Sequence, residues 1–138
     1  MTNGILKNND GKIIYEGNID KKENFIGIGK LYYDNDSNSL RYEGDFENNK
    51  FHGIGCEYFQ NGNNKYQGDW SNNKKHGQGT SYYESTGTME YIGDWKYNEK
   101  HGNGTLFNEN GEQVWVGSFH YNEIQMSYLS DNDEEEDS

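Results

Sequence analysis

The sequence predicts an all-β protein: a single-layer, twisted, elongated antiparallel sheet of tandem β-hairpins with about ten strands. Three observations carry that expectation. The 18 glycines fall on a repeating grid rather than scattering. Aromatic residues stand two positions from those glycines, the spacing that keeps side chains on one face of a strand. The chain has neither proline nor alanine, while Tyr, Phe, Trp and Gly are frequent, a composition poorly suited to helices.

The grid has three parts. A Y-x-G element occurs as Tyr15-Glu16-Gly17, Tyr42-Glu43-Gly44, Tyr66-Gln67-Gly68 and Tyr91-Ile92-Gly93, with Trp115-Val116-Gly117 as the fifth copy. Its glycines are 27, 24, 25 and 24 residues apart. A G-x-G element follows at Gly27/Gly29, Gly53/Gly55, Gly77/Gly79 and Gly102/Gly104. It trails by nine residues in three copies and by ten in the first. A third slot, four residues before each Y-x-G aromatic, holds Gly11, Gly62, Gly87 and Gly111, with Asn38 in the remaining copy. Gly4 stands before Gly11 as Gly55 does before Gly62, so every glycine has a place.

Taken in order, residues 1–14 form a leading half-repeat and its turn, with Asp10-Gly11 as the turn pair. Residues 15–123 hold four full hairpin repeats and a trailing half. In each, the first strand carries Y-x-G-x-[FWI] on one face: Tyr15/Gly17/Ile19, Tyr42/Gly44/Phe46, Tyr66/Gly68/Trp70, Tyr91/Gly93/Trp95 and Trp115/Gly117/Phe119. Polar turns such as Glu47-Asn48-Asn49-Lys50 and Ser71-Asn72-Asn73-Lys74 send the chain back through G-x-G. The second strands end in Tyr33, Phe59 or Tyr83, and Asn61-Gly62 and Asn110-Gly111 suit turns that need positive φ. Glycine usually weakens a strand, but between two rings on one face it gives room for a neighbouring repeat's aromatic to lie flat. Residues 124–130 are expected to cap the last strand, and 131–138, an acidic block without apolar residues, to be disordered. The sheet would run roughly 45–50 Å across strands about 20 Å long.

Charge bounds the function. Twelve Lys/Arg stand against 24 Asp/Glu, for a net −12, and half of that excess sits in the last eight residues. A basic field for nucleic acid is absent. No apolar run approaches the length of a membrane-spanning helix, and the N-terminus lacks a signal-peptide core, so a soluble, intracellular (cytoplasmic) chain is expected. Cys56 alone excludes an internal disulfide. Leu, Ile, Val and Phe number only 22, which points towards disorder, but 15% aromatic content supplies the missing apolar area.

Catalytic and metal chemistry find no footing. His52, His76 and His101 each precede a G-x-G, yet equivalent positions in successive hairpins lie about 9–10 Å apart, too far to share one metal ion. Gly27-Ile28-Gly29-Lys30 is followed by Leu31, so no phosphate-binding loop is completed. Asp45, Asp69 and Asp94 share one slot and read as solvated acids on the outer face. No nucleophile–base pair recurs. No catalytic residue, metal or cofactor is expected, and the chain reads as a non-enzyme.

The unit YQGDWSNNKKHGQGTSYY resembles a MORN repeat, whose pattern runs Y-x-G-x-W-x-x-x-x-x-x-G-x-G-x-x-x-[YF]. Residues 42–60, 66–84 and 91–108 follow it closely. Residues 15–34 follow it with Ile19 for the aromatic and one extra residue, and residues 115–124 stop after the first strand. Repeats similar to these occur in junctophilins, in some lipid kinases, in the N-terminal part of a lysine methyltransferase, and in radial-spoke-head and basal-complex proteins. The resemblance implies a scaffold or targeting role without catalysis by the repeat, in a cytoskeletal or ciliary (axonemal) setting.

Partner-binding residues are expected on the aromatic face: Tyr15, Tyr42, Phe46, Tyr66, Trp70, Tyr91, Trp95, Trp115 and Phe119. A one-layer sheet should leave one side of each ring uncovered, and exposed apolar area of that extent marks an interface for a helical or extended protein segment. Lys50, Lys74, Lys75 and Lys100, with Lys21 and Lys22, are expected to form a row along one long edge. That row gives the alternative reading, a peripheral membrane module contacting acidic lipid headgroups. A third reading is a targeting module for an enzyme on a separate chain. Ser130, before acidic residues, resembles an acid-directed kinase site.

Overall fold

The computed structural model describes residues 2–126. It is an all-β chain of eleven strands: β1 (Thr2–Lys7), β2 (Ile13–Ile19), β3 (Phe25–Tyr32), β4 (Leu40–Glu47), β5 (Lys50–Tyr58), β6 (Asn64–Ser71), β7 (Lys74–Tyr82), β8 (Met89–Lys96), β9 (Glu99–Phe107), β10 (Gln113–His120) and β11 (Glu123–Gln125). Each pairs antiparallel with the next, giving one open sheet in hairpin order. The count exceeds the expected ten because Ile124 and Gln125, read from sequence as the start of a cap, lengthen the sheet: Ile124 pairs with Phe119. Residues 127–130 of that cap, the Ser130 motif and the acidic run 131–138 lie outside the described residues. Among the described residues no helix is long and apolar enough to cross a membrane.

Two turn chemistries alternate at the two ends of the strands. At one end, two-residue loops put both central residues at positive φ: Asn48 and Asn49 at 49° and 71°, Asn72 and Asn73 at 51° and 70°. That is the geometry whose twist suits a hairpin, and asparagine tolerates it. At the other end Gly62 has φ 95° and donates its N–H to the Phe59 carbonyl at 2.9 Å. Asn38, the one non-glycine in that slot, also sits at φ 48°. The extra residue of the first repeat is absorbed by a longer turn, where Asp20 accepts the N–H groups of Lys22 and Asn24. Those bonds hold the Asp20 carboxyl below its usual range, that from Asn24 most.

Within each of the four full repeats the ladder slips once. Gly44 faces Gly55 and Phe46 faces Phe51, so His52, Gly53 and Ile54 stand opposite Asp45 alone. The slot acid closes the gap: Asp45 Oδ2 accepts the Ile54 N–H at 2.9 Å, as Asp69 does for Gln78 and Asp94 for Asn103. Asn18 does the same for Ile28. These acids, read from sequence as merely solvated, are backbone caps. Gly53 is at φ 66°, and a Cβ there would press against the Asp45 side chain, which accounts for the first glycine of G-x-G.

The core is a single layer of rings lying on glycine. Tyr42 spreads over Gly55, and its hydroxyl donates to the Asp45 carbonyl at 2.7 Å. Tyr66 and Tyr91 repeat this with Asp69 and Asp94, and Tyr15 with Asn18. Third-slot rings link the tyrosines edge-on. Trp70 meets Tyr42 and Tyr66, and Trp95 meets Tyr66 and Tyr91, at centroid distances of 5.0–5.8 Å near perpendicular. Each such pair contributes about 0.5–1.5 kcal/mol beyond its burial. The indole N–H groups of Trp70 and Trp95 donate to the carbonyls of Gly55 and Gly79.

Candidate partner-binding face

The rings expected to lie uncovered are covered. Tyr15, Tyr42, Tyr66 and Tyr91 are fully buried, and Phe46, Trp70, Trp95 and Phe119 are at most 5% exposed; Trp115 is half-buried. The cover comes from the residue two places before the first glycine of G-x-G, which arrives on the aromatic face from the returning strand. Phe25 stacks on Tyr15 at 3.7 Å and Phe51 on Tyr42 at 3.8 Å, both nearly parallel. In the next two repeats the same position is Lys75, whose ammonium stands 5.6 Å from the Tyr66 centroid and 4.8 Å from that of Trp95. Lys100 repeats the arrangement over Tyr91 and Trp95. The strip of rings is therefore a floor, and its lids grade from aromatic to cationic along the sheet.

The lysine row is divided for the same reason. Successive strand residues face opposite sides, so Lys75 and Lys100 stand on the aromatic face while Lys50 and Lys74 remain exposed at the turn edge. Lys21 and Lys22 are exposed in the first turn. Burial draws the Lys75 ammonium below its usual pKa. Lys100 has Glu90 at 3.6 Å, but among the described residues no carboxylate lies within 4.0 Å of Lys75 or Arg41.

Where aromatic lids give way to cationic ones, the face holds a depression of about 640 Å³ lined by Leu31, Arg41, Phe51, Glu57, Lys65, Trp70 and Lys75, with Asn49, Asn73 and Asn98 at its rim. Arg41 and Lys65 reach it because each is the residue looped out of register just before a repeat tyrosine. The Arg41 guanidinium lies 5.8 Å from the Phe51 centroid, and Lys65 is 3.8 Å from Glu57. The asparagines clamp neighbouring repeats: Asn73 Oδ1 accepts the Phe51 N–H, and Asn98 Oδ1 that of Lys75, each at 2.8 Å. The groove thus has a rigid apolar floor, three cations and one acid. It suits a segment carrying both carboxylates and apolar side chains. Sequence reasoning passed over Arg41, Lys65 and Glu57. Arg41 and Lys65 share the place just before a repeat tyrosine, but Ile14 and Glu90 hold it in the other copies, so no common residue type marks it.

The other sequence candidates are placed elsewhere. His52 pairs with Glu47 at 2.9 Å, His76 lies against Tyr97, and His101 accepts the Tyr121 N–H. These histidines occupy successive repeats in structural settings. The opposite face carries Ile5, Ile28 and Ile54, all more than 60% exposed, Ile28 and Ile54 being the middle residues of G-x-G. It is the competing surface for a partner.

Comparison with protein families matches the MORN repeat at residues 42–64, 66–88 and 91–113, together half of the chain. No curated protein matches it. MORN repeats are binding modules for proteins or membrane lipids. The three matched stretches begin at Tyr42, Tyr66 and Tyr91, each the ring that lies on a glycine of the returning strand, and the chain belongs to the MORN-repeat family.

Proposed function

We propose that this protein is a non-catalytic scaffold that holds an acidic, partly apolar protein segment on its aromatic face, in the groove between Arg41 and Lys75. The observation that carries the reading is Lys75: a half-buried cation between two rings, with no carboxylate within 4.0 Å among the described residues, at a depression that Arg41 and Lys65 also enter. A partner carboxylate adds a direct ion pair to the longer-range attraction of Glu57 and Glu90, and the nine rings of the aromatic face hold the groove's floor in place. A helical or extended segment fits such a trough. A cytoplasmic setting in a cytoskeletal or ciliary assembly belongs to the same proposal and rests on the kinds of protein in which similar repeats recur.

The test is affinity capture from the native cell with the wild-type chain and with Arg41→Glu plus Lys75→Glu. The partner should be lost in the double variant while circular dichroism stays unchanged. Retention at full yield would exclude the groove. A second reading, contact with acidic lipid, is favoured by the exposure of Lys50 and Lys74 at one edge. The body outside residues 131–138 still carries net −6, which opposes approach to an anionic leaflet. Co-sedimentation with phosphoinositide vesicles that is lost on Lys50→Glu plus Lys74→Glu would support the lipid reading, and absence of sedimentation would reject it.

A further inference from the structure

We infer that the groove between Arg41 and Lys75 is occupied, in the free protein, by the acidic C-terminal segment 131–138 of the same chain, which a partner must displace. The inference rests on the groove being an acceptor for carboxylates, as proposed above.

Charge and reach both favour this occupant. The segment holds six acids within eight residues, Asp131 to Asp137, in a chain with only 12 basic residues. On the aromatic face, Lys100, Lys75, Lys65 and Arg41 stand on β9, β7, β6 and β4, so they form a cationic path leading away from the C-terminal edge. At about 4.8 Å per strand, Lys100 lies roughly 10 Å from β11, Lys75 roughly 19 Å and Arg41 roughly 34 Å. The described chain ends at Met126. Extended chain covers about 3.3 Å per residue, so Asp131 reaches roughly 17 Å from there and Asp137 roughly 36 Å. The acids therefore come within reach one after another along the same path. Lys7, Lys12, Lys21 and Lys22 are clustered around β1 and β2, roughly 43 Å from β11 and beyond most of the segment.

The segment lacks apolar side chains, so docking is electrostatic and shallow. A partner that adds apolar contact to the half-buried Leu31, over the floor of Phe51 and Trp70, outcompetes it. Glu57 and Glu90 remain with Lys65 and Lys100, which leaves Lys75 and Arg41 as the principal acceptors.

The three tryptophans report the tail's position, standing on β10, β8 and β6. A nitroxide is placed on Ser138→Cys in a full chain that also carries Cys56→Ser. The indole N–H signals of Trp70 and Trp95 should lose intensity. They should recover in about 1 M salt, where the Debye length falls to about 3 Å, and on Glu134→Gln, Glu135→Gln and Glu136→Gln together. Broadening confined to Trp115, or broadening indifferent to salt, would overturn the inference. So would broadening that appears only on an untagged isotope-labelled copy mixed with tagged protein, since that places the segment between molecules. A poly-glutamate peptide added to the glutamine-substituted full chain separates the two claims. Binding that is lost on Lys75→Glu keeps the groove even if the tail contact fails, whereas no binding removes both.

Discussion

The ring of Tyr42 lies on Gly55 so closely that a Cβ at that glycine would overlap the ring. The contact explains why a sheet with one layer has a core at all: the backbone of the returning strand is the lower wall, and only glycine leaves room for the ring. Gly55→Ala should destabilise by about 1–3 kcal/mol through overpacking. Gly62→Ala, at a turn with no neighbour near its Cβ, should cost only about 1 kcal/mol through its positive φ. Urea midpoints of the two variants make the comparison, and equal losses would contradict it.

Tyr97 occupies a left-handed turn position, φ 51°, that asparagine holds at Asn48 and Asn72 in the preceding repeats. A bulky residue is strained there, by about 1–2 kcal/mol. Tyr97→Asn should therefore raise the melting temperature, reduced by whatever the contact with His76 contributes. A fall would show that the His76 contact outweighs the strain.

The buried tyrosines set an alkaline limit. Burial pushes the Tyr91 hydroxyl up to about 12 and raises Tyr15, Tyr42 and Tyr66 in the same direction. In the unfolded chain a tyrosine ionises near 10.0. Below that pH both states are neutral and stability is complete; as pH climbs from 10 through about 12 the unfolded state alone gains from ionising, so stability is lost. Tyrosinate absorbance of these four rings should appear together with loss of the sheet's circular dichroism. Early, gradual ionisation of every tyrosine in a folded chain would contradict the burial.

Lys75 stands where Phe51 stands one repeat earlier. Lys75→Phe should let a ring stack on Tyr66 as Phe51 does on Tyr42, exchanging a desolvated charge for aromatic contact. Stability should rise by about 1 kcal/mol, the aromatic pair outweighing a cation–π contact of about 0.5–1 kcal/mol. Binding of an acidic peptide should weaken in the same variant. Loss of stability together with unchanged binding would remove Lys75 from the site.

The succession of paired strands, the positive-φ Asn-Gly turns and the place of Asn38 in a glycine slot were legible in the sequence, because an unbroken period of about 25 residues fixes phase. The Asn48-Asn49 and Asn72-Asn73 turns were legible only as polar, not as left-handed pairs. What covers the rings was not. Phe25, Phe51, Lys75 and Lys100 share no residue type, so their common place two residues before the first glycine of G-x-G leaves no mark in composition. The same holds for Arg41 and Lys65, which reach the groove through a local slip in register. Asp45, Asp69 and Asp94 were visible as a slot, but their bonds to backbone N–H groups depend on the extra residues opposite them. The eleventh strand was hidden because Glu123–Gln125, the returning strand paired with β10, lacks the G-x-G that marks the returning strands β3, β5, β7 and β9.

The most direct measurement sets the two faces against each other. Capture of the native partner is compared for the wild-type chain, for Arg41→Glu plus Lys75→Glu on the aromatic face, and for Ile28→Asp plus Ile54→Asp on the opposite face. All three should keep the same circular dichroism, since each changed residue is an exposed or lid position rather than part of the ring floor. Partner binding should disappear with the first pair and persist with the second. Persistence with the first pair and loss with the second would place the interface on the isoleucine face and contradict the account.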